Sequence, residues 1–205
     1  MSLTIYHLER SRSDRIIWLA EELGLPYELV RFSRDPNTQR AEPAMRGVHP
    51  LGKSPAIRDG EISLIESGAI VDYLVVRYGK GRLAPPHDSP DWPRYVQWLH
   101  FAEGSAMAQL VLEMFASGRF GGGGPSPAAP AIAEGIREML AWMDAELARR
   151  PYFAGDDFSA ADVMMTMPVR MAAGFGRLEG LPSLQGFLDR VTSREAYRRA
   201  MEIAA

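Results

Sequence analysis

The sequence predicts an α/β domain followed by an all-helical one. Three observations carry this. Strand–helix–strand and strand–turn–strand–helix patterns fill the chain up to residue 80. A run holding Gly79, Gly81, Pro85, Pro86 and Pro90 then interrupts them. Beyond it no strong strand pattern returns, and apolar residues recur at helical spacing. The expected division is therefore 1–80, a linker at 81–90, and a helical domain over 91–205.

Leu3 to His7 is β-rich and alternates, so it reads as a strand. Ser13 or Asp14 caps a helix running from Arg15 to Leu23, which Gly24 stops, with Pro26 close behind. Tyr27 to Phe32 is the second strand, so the two strands and their helix form a βαβ unit with parallel strands. Residues 33–54 are polar and irregular, with a short helix expected near Arg40–Met45. Asp59-Gly60 lies between Pro55–Arg58 and Ile62–Leu64, a strong hairpin signal. Glu66-Ser67-Gly68 opens an apolar helix that ends at Gly79.

In the second half, Asp91 to Gly118 is a long helical pattern containing Trp92, Trp98, Phe101 and Phe115. Gly121 to Pro127 breaks it, as a flap or a plain connection. Ala131 to Arg149 carries Ile132, Ile136, Met139, Leu140, Met143 and Leu147 at spacings of three and four. Ser159–Ala173, Ser183–Val191 and Ser193–Ile203 give three shorter helices.

Composition narrows the functions. The 205 residues are 46% hydrophobic and 24% charged, enough apolar content for sizeable cores. A net charge of -3 argues against a nucleic-acid partner. No apolar run reaches the roughly 18–20 residues of a membrane span, and the N-terminus does not read as a secretory signal. Cysteine is absent, so any thiol chemistry needs a thiol brought by a ligand. The four histidines, His7, His49, His87 and His100, are scattered, and no metal site is expected.

Three segments bear on chemistry. At Glu66-Ser67, free N–H groups and the positive end of the helix dipole favour a carboxylate, while the Glu66 carboxylate attracts an ammonium group. Together they complement an amino-acid head group; the plainer alternative is a helix cap. In His49-Pro50-Leu51-Gly52-Lys53-Ser54-Pro55, a cis bond before Pro55 would turn the Ser54 backbone outward as an edge for an extended peptide. Lys53 would meet that peptide's other carboxylate; the alternative is an ordinary loop. In Leu8 to Arg15, at the carboxyl end of the first strand, a serine hydroxyl near arginines and a helix start can help a bound thiol ionise. The alternative gives Ser11 and Ser13 turn and capping roles.

The run Ser11-Arg12-Ser13-Asp14-Arg15-Ile16-Ile17-Trp18-Leu19-Ala20-Glu21-Glu22-Leu23-Gly24-Leu25-Pro26-Tyr27 resembles cytosolic glutathione transferases, closest to a serine-type bacterial and fungal subgroup. His49 to Pro55 resembles the family's N-P-x-G-x-V-P loop, and Glu66-Ser67 its glutathione motif. Phe158-Ser159-Ala160-Ala161-Asp162 resembles the box that opens a buried helix. The resemblance spans almost the whole chain, with four motifs in order. Departures are His49 in place of Asn, Ser54 where Val or Ile is common, and two serines where one hydroxyl is needed.

The resemblance implies a thioredoxin-like β-α-β-α-β-β-α domain, a helical C-terminal domain and a homodimer in the cytoplasm. It implies that Glu66 and Ser67 bind the γ-glutamyl end of glutathione, that the Ser54 backbone before cis-Pro55 pairs with the cysteinyl backbone, and that Lys53 sits near the glycyl carboxylate. Ser11 is the first choice for the catalytic hydroxyl, then Ser13, with Arg12 as electrostatic helper. Met107, Met114 and Phe115 are expected to form an apolar wall for a small hydrophobic electrophile. Met164, Met165, Met167 and Met171 read as core. The expected activity is conjugation of glutathione to such electrophiles. Alternatives are a glutathione-dependent peroxidase or disulfide reductase, and a binding module without catalysis.

Overall fold

A computed structural model of the chain describes residues 3–118 and 124–205. Packing divides it into two compact units, residues 1–83 with 192–205 and residues 84–191.

The first unit is a thioredoxin-like α/β domain. Strand β1 (Leu3–Leu8) leads to helix α1 (Asp14–Leu23) and strand β2 (Glu28–Phe32). The hairpin β3 (Ala56–Asp59) and β4 (Ile62–Ile65) precedes helix α2 (Ser67–Tyr78). The sheet order is β2-β1-β3-β4, with β1 parallel to β2 and antiparallel to β3. The βαβ and hairpin expectations both hold. Alternation works as expected on β1, where Leu3 and Ile5 are buried and Thr4 and Tyr6 are less so. Gly24 ends α1 at φ 66, a left-handed conformation that glycine adopts at little cost, and its neighbour Leu25 donates back to the Ala20 carbonyl.

Between β2 and β3 the expected short helix is a 3-10 turn, Pro43–Gly47. Pro43 opens it and only Met45 is buried, so too little apolar surface is covered to hold a longer α-helix.

Helix α8 (Glu195–Ala204) belongs by packing to the first unit, not to the helical one expected over 91–205. Its Tyr197 meets the buried Trp18 of α1 edge-on, with ring centroids 5.0 Å apart. Arg194 grips Glu22 with two hydrogen bonds, at 2.6 and 2.8 Å, and Arg199 reaches Glu21 at 3.1 Å. α1 thus buries one face on its own sheet and another on α8, which explains why Ile16 to Ala20 are all buried.

The second unit is all helical among the described residues. It holds α3 (Trp92–Phe101), a π-helical segment (Ala102–Met107), α4 (Ala108–Ala116), α5 (Ala129–Leu147), α6 (Ala160–Gly174) and α7 (Pro182–Thr192). Trp98 centres an aromatic cluster with Phe101, Trp142 and Phe153, the last packed edge-on against Phe187. The helix expected from Asp91 onward is there, but hydropathy did not reveal its π segment. Met164 and Met165 are fully buried, as core residues are. The flap expected over 121–127 lies outside the described residues for positions 121–123. Among the described residues, no helix is long and apolar enough to cross a membrane.

The start of α6 is sealed by its own chain. Asp162 accepts the Ser159 backbone N–H at 2.8 Å, the Ser159 hydroxyl at 2.9 Å and the Phe153 N–H at 2.8 Å. This is the expected capping box. Phe158, just before the cap, stacks edge-on with Tyr152. Burial pushes the Asp162 carboxyl up to about 6, although its hydrogen bonds pull the other way.

Candidate functional site

The strand register gathers most of the sequence-derived site residues at one end of the first unit's sheet. Tyr6 of β1 pairs with Ala56 of β3, and Ala56 pairs with Ile65 of β4. The segments just past these pairs are therefore neighbours: Leu8 to Ser13 after β1, Lys53 to Pro55 before β3, and Glu66-Ser67 after β4. The N-termini of α1 and α2 both begin here. In an α/β sheet this carboxyl end of the parallel strands is where ligands collect.

Ser11 and Ser13 share one hydrogen-bonded row. Their hydroxyl oxygens are 2.8 Å apart. Ser13 is fully buried, with His7 Nδ1 2.8 Å from its Oγ and the Leu8 N–H donating to it at 3.3 Å. Ser11 is partly exposed, and its Oγ lies 3.2 Å from the Ser54 hydroxyl. The two serines therefore differ: Ser11 reaches the surface and Ser13 stands behind it. Ser13 occupies the cap position of α1 without a side-chain cap bond, because its hydroxyl is committed to His7 and Ser11. Arg12 is half-buried in the same turn.

The Ser54–Pro55 peptide bond is cis. Pro55 is buried, Ser54 half-buried, and the Ser54 hydroxyl also donates to the Tyr6 carbonyl at 3.4 Å. Lys53 is exposed. Glu66 precedes α2 at φ 72, a left-handed backbone that a non-glycine residue adopts at a cost of about 1–3 kcal/mol. Its side chain is exposed and makes no cap bond to the helix, whereas Ser67 is buried. The start of α2 thus keeps its dipole end and a nearby carboxylate facing outward.

The other three candidates lie in the second unit. Met107 ends the π segment and is buried, Met114 is half-buried, and Phe115 is 62% exposed. They do not present one uniform face.

His7 is the member of this constellation that the sequence did not single out. It is 1% exposed, its Nε2 lies 3.1 Å from the Ala204 carbonyl of α8, and burial, as the largest cause, lowers its pKa. One histidine in a strand gives no periodic signal, and its partners come from positions 13 and 204.

A cavity of about 950 Å³ opens elsewhere on this unit, lined by Leu23, Pro26, Asp59, Ile62, Arg77 and Tyr78 among others. It touches the far ends of α1 and α2 and none of the residues above. Asp59 is satisfied there by Tyr73 and Tyr78 hydroxyls and by Arg77, so this corner is a structural brace.

Comparison with known proteins fits this geometry. The model for the glutathione S-transferase N-terminal domain matches residues 1–76, and that for the C-terminal domain matches residues 126–199. Glutathione S-transferase 3 of Schizosaccharomyces pombe is 34% identical, over 98% of this chain and 87% of its own length. The chain belongs to the glutathione S-transferase family. The relatives matched are glutathione S-transferases, enzymes like the one expected here, and the fold expectation is met in both units. A glutathione S-transferase structure from Actinobacillus pleuropneumoniae superposes with TM-score 0.89 at 28% identity, covering 98% of this chain and 92% of that one. A sphingomonad glutathione S-transferase solved in complex with glutathione gives 0.79 at 27% identity, covering 98% of each.

Proposed function

We propose that this transferase binds glutathione at the gathered strand ends and adds its thiolate to small hydrophobic electrophiles. The observation that carries the reading is the Ser11 hydroxyl, accessible and 3.2 Å from Ser54. It ties the start of α1 to the loop that the family resemblance assigns to the peptide backbone. Glu66 and the open start of α2 suit the γ-glutamyl head, which carries both an ammonium and a carboxylate. The Ser54 backbone, beside Pro55, serves the cysteinyl residue, and Lys53 serves the glycyl carboxylate.

Ser11 takes the sulfur because it is partly exposed while Ser13 is fully buried. A hydrogen bond from its hydroxyl stabilises the thiolate over the thiol, and Arg12 adds positive potential. Positioning of the two reactants supplies the remaining acceleration. Met107, Met114 and Phe115 remain the proposed electrophile contacts, as apolar side chains on the first long helical stretch of the second unit. Dimerisation and a cytoplasmic location are proposed on the strength of the resemblance.

Conjugation of a model aryl halide tests this. Ser11→Ala is expected to lower kcat by about 10–100-fold, the worth of one hydrogen bond to a charged group. An unchanged rate removes Ser11 from the mechanism. Hydroperoxide and disulfide substrates run beside the aryl halide check the redox alternatives. No detectable heat on titrating glutathione would favour the third alternative, a non-enzymatic module that keeps the fold.

A further inference from the structure

The loop that carries Lys53 is held by the residues just before it. His49 to Gly52 form a turn, closed by the Gly52 N–H donating to the His49 carbonyl at 2.8 Å. Inside it the Leu51 N–H donates to Nδ1 of the His49 ring at 3.3 Å. The Arg46 guanidinium, from the preceding 3-10 turn, donates to the Pro50 carbonyl at 2.9 Å. Its side chain also covers Gly52, where an added Cβ would lie 3.1 Å from the Arg46 Cγ. Gly52 is left-handed at φ 58, and Lys53 leaves the turn directly after it.

A backbone N–H only donates, so the direction of the ring bond is fixed. His49 Nδ1 is the acceptor, and the neutral ring keeps its proton on Nε2. Asparagine and aspartate close such turns by accepting the N–H two residues on. Histidine Nδ1 and asparagine Oδ1 both stand one bond beyond Cγ. His49, in place of the Asn of the family pattern, therefore supplies an equivalent acceptor. The two differ in one respect. An amide oxygen accepts at any pH, whereas an imidazolium has two N–H groups and no acceptor. Protonation would set Nδ1–H against the Leu51 N–H, and the turn would lose its inner bond.

The charged groups of this segment are Arg46 on the 3-10 turn and Lys53 after the loop, both cations. Glu42, at the start of the 3-10 turn, is committed to the Ser33 N–H and hydroxyl. Among the described residues no carboxylate pairs with His49. Ser54 is held separately, by its hydroxyl on the Tyr6 carbonyl at 3.4 Å and by the buried Pro55 after it. A loosened turn thus frees Lys53 more than Ser54. Affinity then falls with the fraction of time that the turn is open.

We infer that His49 is a positioning residue for glutathione, holding Lys53 at the glycyl carboxylate only while its Nδ1 is unprotonated. This rests on the assignment of Lys53 proposed above, and adds an acid-sensitive hold on that lysine.

Calorimetry with glutathione and the full chain, at about pH 7 and about pH 5, tests it across the range where histidine changes charge. Glutathione keeps one charge state there, because its carboxyls ionise below about pH 4 and its amine and thiol above about pH 7.5. Wild-type affinity is expected to fall about threefold to tenfold on acidification, the worth of one hydrogen bond. His49→Asn keeps the acceptor, so it should match the wild type at the higher pH and lose less than about twofold at the lower. His49→Ala should bind about threefold to tenfold more weakly than His49→Asn at both. In turnover, KM for glutathione carries the change and kcat at saturation stays within about twofold, since His49 meets neither sulfur nor electrophile. In a Lys53→Ala background, His49→Ala should cost nothing further, because its effect passes through that lysine.

Equal acid weakening of the wild type and His49→Asn overturns the inference, whether or not His49→Ala folds. So does tighter wild-type binding in acid, where attraction between imidazolium and the anionic tripeptide would outweigh the turn. Lys53→Ala separates the two levels. If it binds glutathione as the wild type does, the assignment of Lys53 falls and this inference with it. If it binds weakly while His49→Ala binds like the wild type at both pH values, the inference falls alone.

Discussion

Helices α2 and α6 both begin with serine beside an acidic residue, and they use them in opposite ways. At α6, Ser159 is the cap and Asp162 comes three residues later, inside the first turn. The carboxylate folds back, is fully buried, and has three donors from its own chain. At α2 the order is reversed: Glu66 precedes Ser67, its backbone is left-handed, and its carboxylate faces out without capping the helix. The same residue types close one helix start and open the other. Chain order and burial, not composition, decide which acidic group seals its helix and which stays exposed.

Substitutions should separate the two ends. The largest effect is expected from Asp162→Ala, which leaves several buried donors without acceptors. It should cost about 3–5 kcal/mol in denaturant unfolding, while molecules that remain folded bind glutathione normally. A loss of binding with unchanged stability would reverse the comparison.

The pH dependence of stability sharpens it. With its carboxyl raised to about 6, Asp162 holds a proton in the folded state where the unfolded chain has lost it. Its stabilising contribution is complete below the ordinary carboxyl value and is lost as pH rises through about 6, a change of roughly 3 kcal/mol. Denaturation midpoints of wild type and Asp162→Asn, compared from about pH 4 to 7, should show the slope only in the wild type.

At the open end, Glu66→Gln should weaken glutathione binding by about tenfold, near the lower range for a hydrogen bond to a charged group. Calorimetry measures this, and stability should shift by less than about 0.5 kcal/mol. Ser159→Ala should cost only roughly 0.5–2 kcal/mol of stability, less than Asp162→Ala, because Asp162 keeps two backbone donors. A sharp fall in activity at unchanged midpoints would move this serine from folding to function.

Much of the fold was legible because its signals are local. The alternation in Leu3–His7, the Asp59-Gly60 turn and the Gly24 stop each act within a few residues. The capping box was readable for the same reason, as Ser159 and Asp162 are one turn apart. The 3-10 turn and the π segment were not, since each depends on how much surface its neighbours cover. The attachment of α8 to the first unit depends on Trp18 meeting Tyr197, a pairing no window of sequence contains. The site divides in the same way. Short motifs named Ser11, Ser13, Ser54, Pro55, Glu66 and Ser67, and the strand register explains why they gather. Ser11 and Ser13 look alike in the sequence, and only in three dimensions do they differ, Ser13 fully buried and Ser11 partly exposed. His7 was hidden because its hydrogen-bond partners come from positions 13 and 204, which no short window joins.

The return of α8 to α1 makes the first unit discontinuous along the polypeptide. Its early segments leave the ribosome well before residues 192–205 exist, so Trp18 has to wait for its cover. A recombinant fragment stopping at residue 83 would display that uncovered stripe and self-associate. Appending residues 192–205 through a flexible tether should restore a well-behaved minimal unit.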